Sequence, residues 1–252
     1  MLKKRIIPIL LLKDERLVKT RKFNESTDVG DPVKSAYVYN SQQSDELIIL
    51  NINRGDRNIN PLKKIIHQII ENCFMPVSIG GGINLLEDAK FLIENGSDKI
   101  ILNSLTYKNY KLIEDIAKIY GSQSVIVCVD LKKINDSYKL FSNCGQKQEI
   151  IKIEDHIKNI QNSGAGEIML QAINNDGIMN GYDMKIIDNY KKYFKVPVIM
   201  AGGSGDYLHL EKALKSDHVD AVACGSIFNF TDSNPIRART YLSNRGIKIK
   251  KI

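Results

Sequence analysis

Short runs of apolar residues alternate along the whole chain with longer stretches in which apolar residues recur at helical spacing. The short runs predict eight β-strands at Ile6–Leu11, Glu46–Ile52, Pro76–Gly80, Lys99–Leu102, Ser124–Asp130, Glu167–Leu170, Pro197–Ala201 and Ala221–Cys224. The longer stretches predict helices that include Pro61–Asn72, Leu85–Asn95, Lys108–Tyr120, Glu154–Ser163, Met184–Tyr193 and Tyr207–Ser216. Because such alternation builds parallel strands with helical crossovers, 252 residues predict one α/β domain, a (β/α)8 TIM barrel.

The second half of the chain repeats the first at a distance of 121 residues. Ile79-Gly80-Gly81-Gly82 returns as Met200-Ala201-Gly202-Gly203, and Ser44-Asp45-Glu46 returns as Ala165-Gly166-Glu167. Two fused half-barrels, at about 1–122 and 123–252, explain this repeat, whereas an open doubly wound sheet would not require it. The long loops 12–31 and 131–151 follow the first and fifth strands, so we expect both on the functional face.

Charge and hydropathy limit the partners of the chain. The formal net charge of +7 permits an acidic partner or a phosphorylated substrate. The lysines and arginines do not form one stripe, which favours an ordinary solvated surface and no nucleic-acid partner. No apolar run approaches the roughly 18 residues that span a bilayer. The basic and apolar start continues into Lys13-Asp14-Glu15-Arg16 instead of a signal-peptide cleavage site, so we expect a cytoplasmic protein.

The residues that most often bind metal ions are scattered. The cysteines Cys73, Cys128, Cys144 and Cys224 form no CxxC pair, and the histidines His67, His156, His209 and His218 fall in predicted helices or at their ends. We therefore predict no metal site and no disulfide framework, and we interpret the histidines as packing or solvated residues. No cofactor is expected either.

Glycine-rich segments end strands in both halves of the chain. Such segments let backbone N–H groups approach an anion closely. The first pair of strand ends offers Gly81, Gly82, Asn103 and Ser104, and the second offers Gly202, Gly203, Gly225 and Ser226. Gly177, after the sixth strand, is a further candidate. The repeat predicts two phosphate sites and a ligand with an anionic group at each end; alternatively, the glycines only let the chain turn and pack.

At this point a family resemblance is apparent over nearly the full length of the chain. The matching residues are Lys19, Phe23, Gly30-Asp31-Pro32, Asp45-Glu46-Leu47, Gly80-Gly81-Gly82, Asp98-Lys99, Asn103, Gly121-Ser122-Gln123, Asp130, Gly164-Ala165-Gly166-Glu167, Asp176-Gly177, Gly181-Tyr182-Asp183 and Gly202-Gly203. The chain resembles the HisF-type cyclase subunits of imidazole glycerol phosphate synthase. The resemblance implies a glutaminase partner on the amino-terminal face of the barrel. It also implies ammonia that crosses the barrel to a bis-phosphorylated substrate.

The family resemblance also implies a charged ring where ammonia enters, and this chain has all four residues as Arg5, Glu46, Lys99 and Glu167. Each residue opens or precedes an apolar strand, which places it at the bottom of the barrel. Charges buried there must be paired, because an unpaired buried charge costs several kcal/mol. Alternatively, the four residues form an ion-pair plug that only stabilises the barrel.

The chain departs from the family at the opposite end of the barrel. The family uses two aspartates, at the ends of the first and fifth strands, as general acid and base. This chain keeps Asp130 but has Leu11 at the other position, and Asp14 lies three residues further on. Asp176 is a second, weaker catalytic candidate. Losing one acid or base typically removes about 10²–10⁴ in rate, so stand-alone cyclase activity is in question.

A short segment around the first strand favours one subgroup of the family. Leu10-Leu11-Leu12-Lys13 and Leu17-Val18-Lys19-Thr20 resemble the glycosyl amidation-associated paralogues, which implies ammonia supply to a third, sugar-amidating protein of a surface-glycan pathway. We therefore expect a non-cyclising ammonia conduit. One alternative is a true cyclase subunit of histidine biosynthesis. A second alternative is a silent module that binds a phosphosugar or activates the glutaminase.

Overall fold

The computed structural model describes residues 3–55 and 58–249. Its strands are β1 (Arg5–Lys13), β2 (Arg16–Arg21), β3 (Glu25–Gly30), β4 (Leu47–Asn51), β5 (Val77–Gly80), β6 (Lys99–Leu102), β7 (Val125–Ile134), β8 (Ser137–Ser142), β9 (Lys147–Gln148), β10 (Glu167–Ala172), β11 (Val198–Ala201) and β12 (Ala221–Cys224). Its helices are α1 (Pro32–Ser41), α2 (Asn60–Ile70), α3 (Leu86–Glu94), α4 (Lys111–Tyr120), α5 (Ile153–Asn162), α6 (Met184–Tyr190), α7 (Tyr207–Leu214), α8 (Ser226–Phe230) and α9 (Pro235–Asn244).

Eight parallel strands close into a barrel. They follow one another in the order β1, β4, β5, β6, β7, β10, β11 and β12, and β12 pairs back to β1. At least one helix lies between each consecutive pair of these strands along the chain, as parallel strands need long crossover connections. The predicted single (β/α)8 barrel is therefore confirmed, and β1 begins at Arg5, inside the apolar start of the chain.

Both long loops fold into β-hairpins over the carboxyl ends of the strands. The first hairpin, β2 with β3, extends from β1, where Lys13 pairs with Arg16. The second hairpin, β8 with β9, extends from β7, where Asp130 pairs with Phe141. The hairpins occupy equivalent places in the two predicted half-barrels. Antiparallel pairing lengthens β1 and β7 beyond their apolar runs, which is why the predicted strand ends were too early.

The helices α1 and α9 were not among the predicted helices, because apolar residues do not recur strongly within them. Their signal lies in their first turns. Asp31 directly precedes Pro32, and its side chain accepts a hydrogen bond from the backbone N–H of Lys34. Asn234 directly precedes Pro235, and its side chain accepts one from the backbone N–H of Arg237. Asp or Asn before a proline at the first helical position is a strong helix start.

The core has two layers, because side chains alternate between the two faces of each strand. The outer layer lies between the strands and the helices, and the inner layer fills the barrel. The inner layer consists of Ile7, Ile48, Ile101, Ile126, Cys128, Met169, Ile199, Ala201, Ala221 and Ala223, with Ile9 and Leu50 against it. The inward-facing residues that continue this alternation at either end of the strands form the candidate sites.

Membrane-spanning helices, metal-binding clusters and disulfides can be checked in the part of the chain that the structure describes. Within residues 3–55 and 58–249, none of the helices has the length and apolar character needed to cross a membrane. The same residues contain no cluster of three His, Cys, Asp or Glu side chains that could hold a metal ion. All four cysteines are free thiols, so no disulfide links them.

Candidate functional site

Four charged side chains close the barrel at the amino-terminal ends of its strands. Arg5 lies 2.5 Å from Glu46 Oε1 through Nη1 and 2.5 Å from Glu167 Oε2 through Nη2. Lys99 Nζ lies 2.5 Å from Glu167 Oε1 and 3.2 Å from Glu46 Oε2. Each cation thus bridges both carboxylates, and the signs alternate. The structure brings together the four residues predicted to meet here, which we call the charged ring.

Contacts within the ring keep Glu167 and Arg5 ionised in spite of their burial. Burial disfavours the carboxylate of Glu167, but the hydrogen bonds and charges of Arg5 and Lys99 outweigh burial and lower the pKa of Glu167. Burial also works against the guanidinium of Arg5, and the two glutamates outweigh it and raise the pKa of Arg5. Removing one partner would therefore leave a partly buried charge uncompensated.

Ser78 lies just inside the ring, where it pairs with Lys99 in the register of β5 and β6. Its hydroxyl oxygen is buried and has no hydrogen-bond partner among the described residues. Unpaired buried polar groups cost roughly 1–3 kcal/mol and are rare in native proteins. A small polar molecule that passes the ring would meet this hydroxyl before the apolar inner layer.

A cavity of about 740 Å³, which we call the mouth, opens at the carboxyl ends of the strands. Its lining includes eight of the nine predicted phosphate-binding residues: Gly81, Gly82, Asn103, Ser104, Gly202, Gly203, Gly225 and Ser226. We call the first four the first cup and the last four the second cup. The ninth, Gly177, lies beside the lining, where a Cβ would stand 2.1 Å from the carbonyl oxygen of Thr20.

Backbone packing alone accounts for glycine at several cup positions. Gly81 has a φ of +88°, and a Cβ there would stand 2.0 Å from the carbonyl oxygen of Asn51. Gly203 has a φ of +115°, and a Cβ there would stand 2.2 Å from the carbonyl oxygen of Gly181. Both positions require glycine whether or not an anion binds. Phosphate binding therefore stays a prediction, supported by the convergence of both cups on one cavity.

Asp130 and Leu11 both line the mouth, where the parallel pairing of β7 and of β1 ends and each strand continues into its hairpin. The thiol of Cys128 donates a hydrogen bond to Asp130 Oδ1 at 3.3 Å, and burial raises the pKa of this thiol so that it stays protonated. Asp14 lies at the exposed turn that leads into the first hairpin, where its backbone N–H donates to Asn53 Oδ1 at 3.0 Å. Leu11 thus presents an apolar side chain where the family resemblance implies a carboxylate.

Asp176 lines the mouth but is bound to the first hairpin. The Thr20 hydroxyl donates to Asp176 Oδ2 at 2.6 Å, and the Phe23 N–H donates to the same oxygen at 3.4 Å. Gln171 Nε2 lies 3.4 Å from Asp176 Oδ1. Burial raises the pKa of Asp176, and these bonds only partly offset it. This geometry suits a residue that holds the hairpin as well as it suits a proton-transfer group, so its catalytic role stays a prediction.

Lys19 is a residue of the mouth that the sequence pointed to only as a family match. Its Nζ donates to the carbonyl oxygen of Ile9 at 2.6 Å and lies 3.2 Å from the position of a Cβ on Gly225. It is a buried cation beside the second cup, and burial lowers its pKa to about 8. A lone lysine in an amphipathic hairpin strand carries no sequence signal of burial, so only the fold reveals this position.

The protein is an α/β barrel with a polar site at each end of its axis. The charged ring lies at one end, and the glycine-lined mouth lies at the other. Residues 5–234 match the model of the family described as histidine biosynthesis protein. This chain therefore belongs to the histidine biosynthesis protein family.

Full-length relatives carry a more specific name. The imidazole glycerol phosphate synthase subunit HisF of Natranaerobius thermophilus is 35% identical over 250 residues, which cover 99% of this chain and 100% of the relative. The subunit of the same name from Exiguobacterium sibiricum is 37% identical, with the same coverage. A putative imidazole glycerol phosphate synthase subunit hisF3 from Vibrio vulnificus is 37% identical over 232 residues, 91% of this chain and 89% of the relative.

These relatives confirm the resemblance to the HisF-type subunits of imidazole glycerol phosphate synthase. Their names give no support to the narrower assignment to the glycosyl amidation-associated paralogues. The chain is therefore a HisF-like subunit of imidazole glycerol phosphate synthase type. Members of this family are synthase subunits of the lyase type.

Proposed function

We propose that this chain receives ammonia from a glutaminase docked at the amino-terminal face and passes it along the barrel axis to the mouth. The observation that carries the proposal is the charged ring, which closes the axis at the face where the glutaminase would dock. An ion-pair plug would equally need four paired charges, but it would not need the unpaired hydroxyl of Ser78 directly behind Lys99.

We assign to the mouth the cyclase reaction of histidine biosynthesis. Ammonia reacts there with the phosphoribulosyl-formimino nucleotide to give imidazole glycerol phosphate, the aminoimidazole carboxamide nucleotide and one molecule of water. The substrate has a phosphate at each end, which fits two cups that share one cavity of about 740 Å³. Asp130 serves as the general acid or base, because it is the carboxylate where the parallel part of β7 ends and it lines the mouth. Full-length likeness to HisF subunits favours this acceptor.

A second acceptor is favoured by Leu11. A mouth with one carboxylate fewer suits a barrel that delivers ammonia to a third protein, which would convert an N-acetyl group of a surface-glycan sugar into an acetamidino group. On this hypothesis the cups retain a phosphorylated small molecule. The mouth then needs no pair of carboxylates for proton transfer, so Leu11 can stand opposite Asp130 without loss of function.

One assay separates the two acceptors. The purified chain is given the formimino nucleotide and saturating ammonium salt at alkaline pH, so that no glutaminase is needed. Turnover that disappears in Asp130→Asn supports the cyclase assignment. No turnover in the wild type, with turnover gained in Leu11→Asp, contradicts that assignment and supports ammonia delivery to a sugar. The matched control is Asp14→Asn, which removes the neighbouring exposed carboxylate and should change neither result.

A further inference from the structure

A buried ion pair lies directly beneath one side of the charged ring. Arg239, on α9, donates from Nη2 to Asp45 Oδ1 at 3.0 Å, and both side chains are almost fully buried. The other oxygen, Asp45 Oδ2, accepts the backbone N–H of Ile6 at 2.9 Å. Asp45 immediately precedes Glu46, and Ile6 immediately follows Arg5. Arg5, which opens β1, and Glu46, which directly precedes β4, are therefore joined through one carboxylate.

The carboxylate of Asp45 links β1 to the residues before β4 at a level where these two strands form no backbone pairs. The register of β1 with β4 runs from Ile9 with Ile48 to Leu12 with Asn51, above the ring. On the opposite side of the barrel, β10 pairs with β7 from Glu167 itself, opposite Ile126. Glu167 is thus tied to β7 by backbone pairing, and Arg5 is tied to β12 by its pairing with Ala221. Between Arg5 and Glu46, by contrast, the side chain of Asp45 makes the link, because β1 and β4 form no backbone pairs at this level.

The internal repeat strengthens this contrast. Gly166 stands where the first half has Asp45, and a Cβ there would lie 2.2 Å from the carbonyl oxygen of Ser122, so no side chain fits. Two other aspartates form the same bond to a neighbouring strand: Asp98 Oδ2 with the Val77 N–H at 2.8 Å, and Asp220 Oδ2 with the Val198 N–H at 3.0 Å. Asp45 differs from both because it is buried and carries the ion pair with Arg239.

We propose that Asp45 and Arg239 are positioning residues that keep Arg5 and Glu46 in contact, so that the charged ring opens only when it passes ammonia. Arg239 also donates to the carbonyl oxygen of Gln43, which ties the loop before β4 to α9. Docking that shifts α9 would therefore reach the ring through Asp45. This inference rests on the proposed ammonia path, since the positioning matters only if the ring controls passage.

Two measurements test the proposal on the full chain and on its complex with the glutaminase. The first is hydrogen exchange of the Ile6 amide, followed by NMR on the chain alone. The second is the ratio of glutamine-dependent to ammonium-dependent turnover of the complex with the formimino nucleotide. Arg239→Gln and Asp45→Asn remove the charge pair, and Arg239→Lys keeps a cation. Asp220→Asn is the control, because it changes the same kind of bond between β11 and β12 and leaves the Asp45–Arg239 pair intact. The bond from the Arg5 N–H to Asp220 uses the backbone carbonyl, which this change retains.

We expect Arg239→Gln and Asp45→Asn to speed Ile6 exchange and to lower the turnover ratio, each about tenfold, the size typical of one charge-assisted hydrogen bond. Ammonium-dependent turnover should stay within about twofold, because the mouth is untouched. Arg239→Lys should restore most of the ratio. Asp220→Asn should speed exchange at Val198 and leave the ratio unchanged.

A ratio that stays at the wild-type value while Ile6 exchange accelerates would overturn the proposal, as would Ile6 exchange that does not respond. If Arg239→Gln does not fold, Arg239→Lys and Asp45→Asn still decide the question. A wild-type complex that uses neither glutamine nor ammonium with the formimino nucleotide contradicts the proposed cyclase reaction instead. In that case Ile6 exchange alone decides whether Asp45 and Arg239 position the base of the ring.

Discussion

The charged ring and the mouth are built from inward-facing residues of the same eight strands, yet their charged groups differ in one respect. In the ring, two cations and two carboxylates satisfy one another, and each resemblance-implied residue is present. In the mouth, Leu11 replaces one expected carboxylate, and Asp176 is bound to Thr20. All four residues that the resemblance implies for the ring are therefore present, whereas one of the two carboxylates that it implies for the mouth is missing. On the proposed function, this difference means that the groups for ammonia entry and the groups for cyclisation can change independently of each other.

The strongest test of the mouth is Asp130→Asn. If Asp130 is the remaining acid or base, ammonium-dependent turnover should fall by about 10²–10⁴, the usual contribution of such a group. Steady-state kinetics with the formimino nucleotide and saturating ammonium salt measure the effect. A loss below about tenfold would show that another group transfers the proton. Leu11→Ala serves as the control for a change of shape in the mouth without a change of charge.

The strongest test of the ring is Glu167→Ala. This change leaves Arg5 and Lys99 without one shared partner, so the ring should lose its closed arrangement. We expect glutamine-dependent turnover to fall by roughly 10–100-fold, which corresponds to about 1.4–2.7 kcal/mol. Ammonium-dependent turnover should remain within about threefold. Equal losses of turnover with both nitrogen sources would mean that the ring only stabilises the barrel. Thermal unfolding followed by circular dichroism would then show a lower melting temperature for the variant.

The mouth also predicts a pH dependence through Lys19. Because burial lowers the pKa of Lys19 to about 8, its ammonium loses its proton as the pH rises through about 8, and its attraction for a phosphate falls. Affinity for a phosphorylated probe such as glycerol phosphate should drop about three- to tenfold between about pH 7 and 9. Isothermal titration calorimetry measures this drop. Lys19→Arg should abolish it, since arginine stays protonated over this range; a drop that persists would locate the titration elsewhere.

The smallest effect is expected from Ser78→Ala, which sharpens the interpretation of the ring. Removing an unpaired buried hydroxyl should raise the free energy of unfolding by roughly 1 kcal/mol, measured by urea denaturation. The ratio of glutamine-dependent to ammonium-dependent turnover should fall about threefold if the hydroxyl assists ammonia. A destabilised variant would indicate that Ser78 has a structural partner after all.

Sequence reasoning was most successful where a local pattern carries its own meaning. Eight apolar runs and the repeat at 121 residues predicted the barrel, and the place of Arg5, Glu46, Lys99 and Glu167 at strand starts predicted one charged cluster. It was least successful where the meaning depends on a distant partner. Asp176 looks like a free loop carboxylate until Thr20, on a hairpin from another strand, donates a hydrogen bond to it.

Other residues could not have been found without the fold. Arg239 lies near the end of the chain, and its partner Asp45 lies near the beginning, so no spacing links them. Gly177 shares a loop signal with the cup glycines, but it packs against the backbone of Thr20. In both cases the decisive contact joins residues that are far apart in the sequence.

The sequence by itself determined the class of this protein, because hydrophobic periodicity and strand order dictate which side chains face the barrel axis, and at which end. Only the tertiary structure decided which of those side chains meet. Closing the barrel brings β1 beside β12 and sets the hairpin from β1 against the loop after β10. Burial then selects the pairs, because a charge or hydroxyl removed from water must find a partner or shift its pKa.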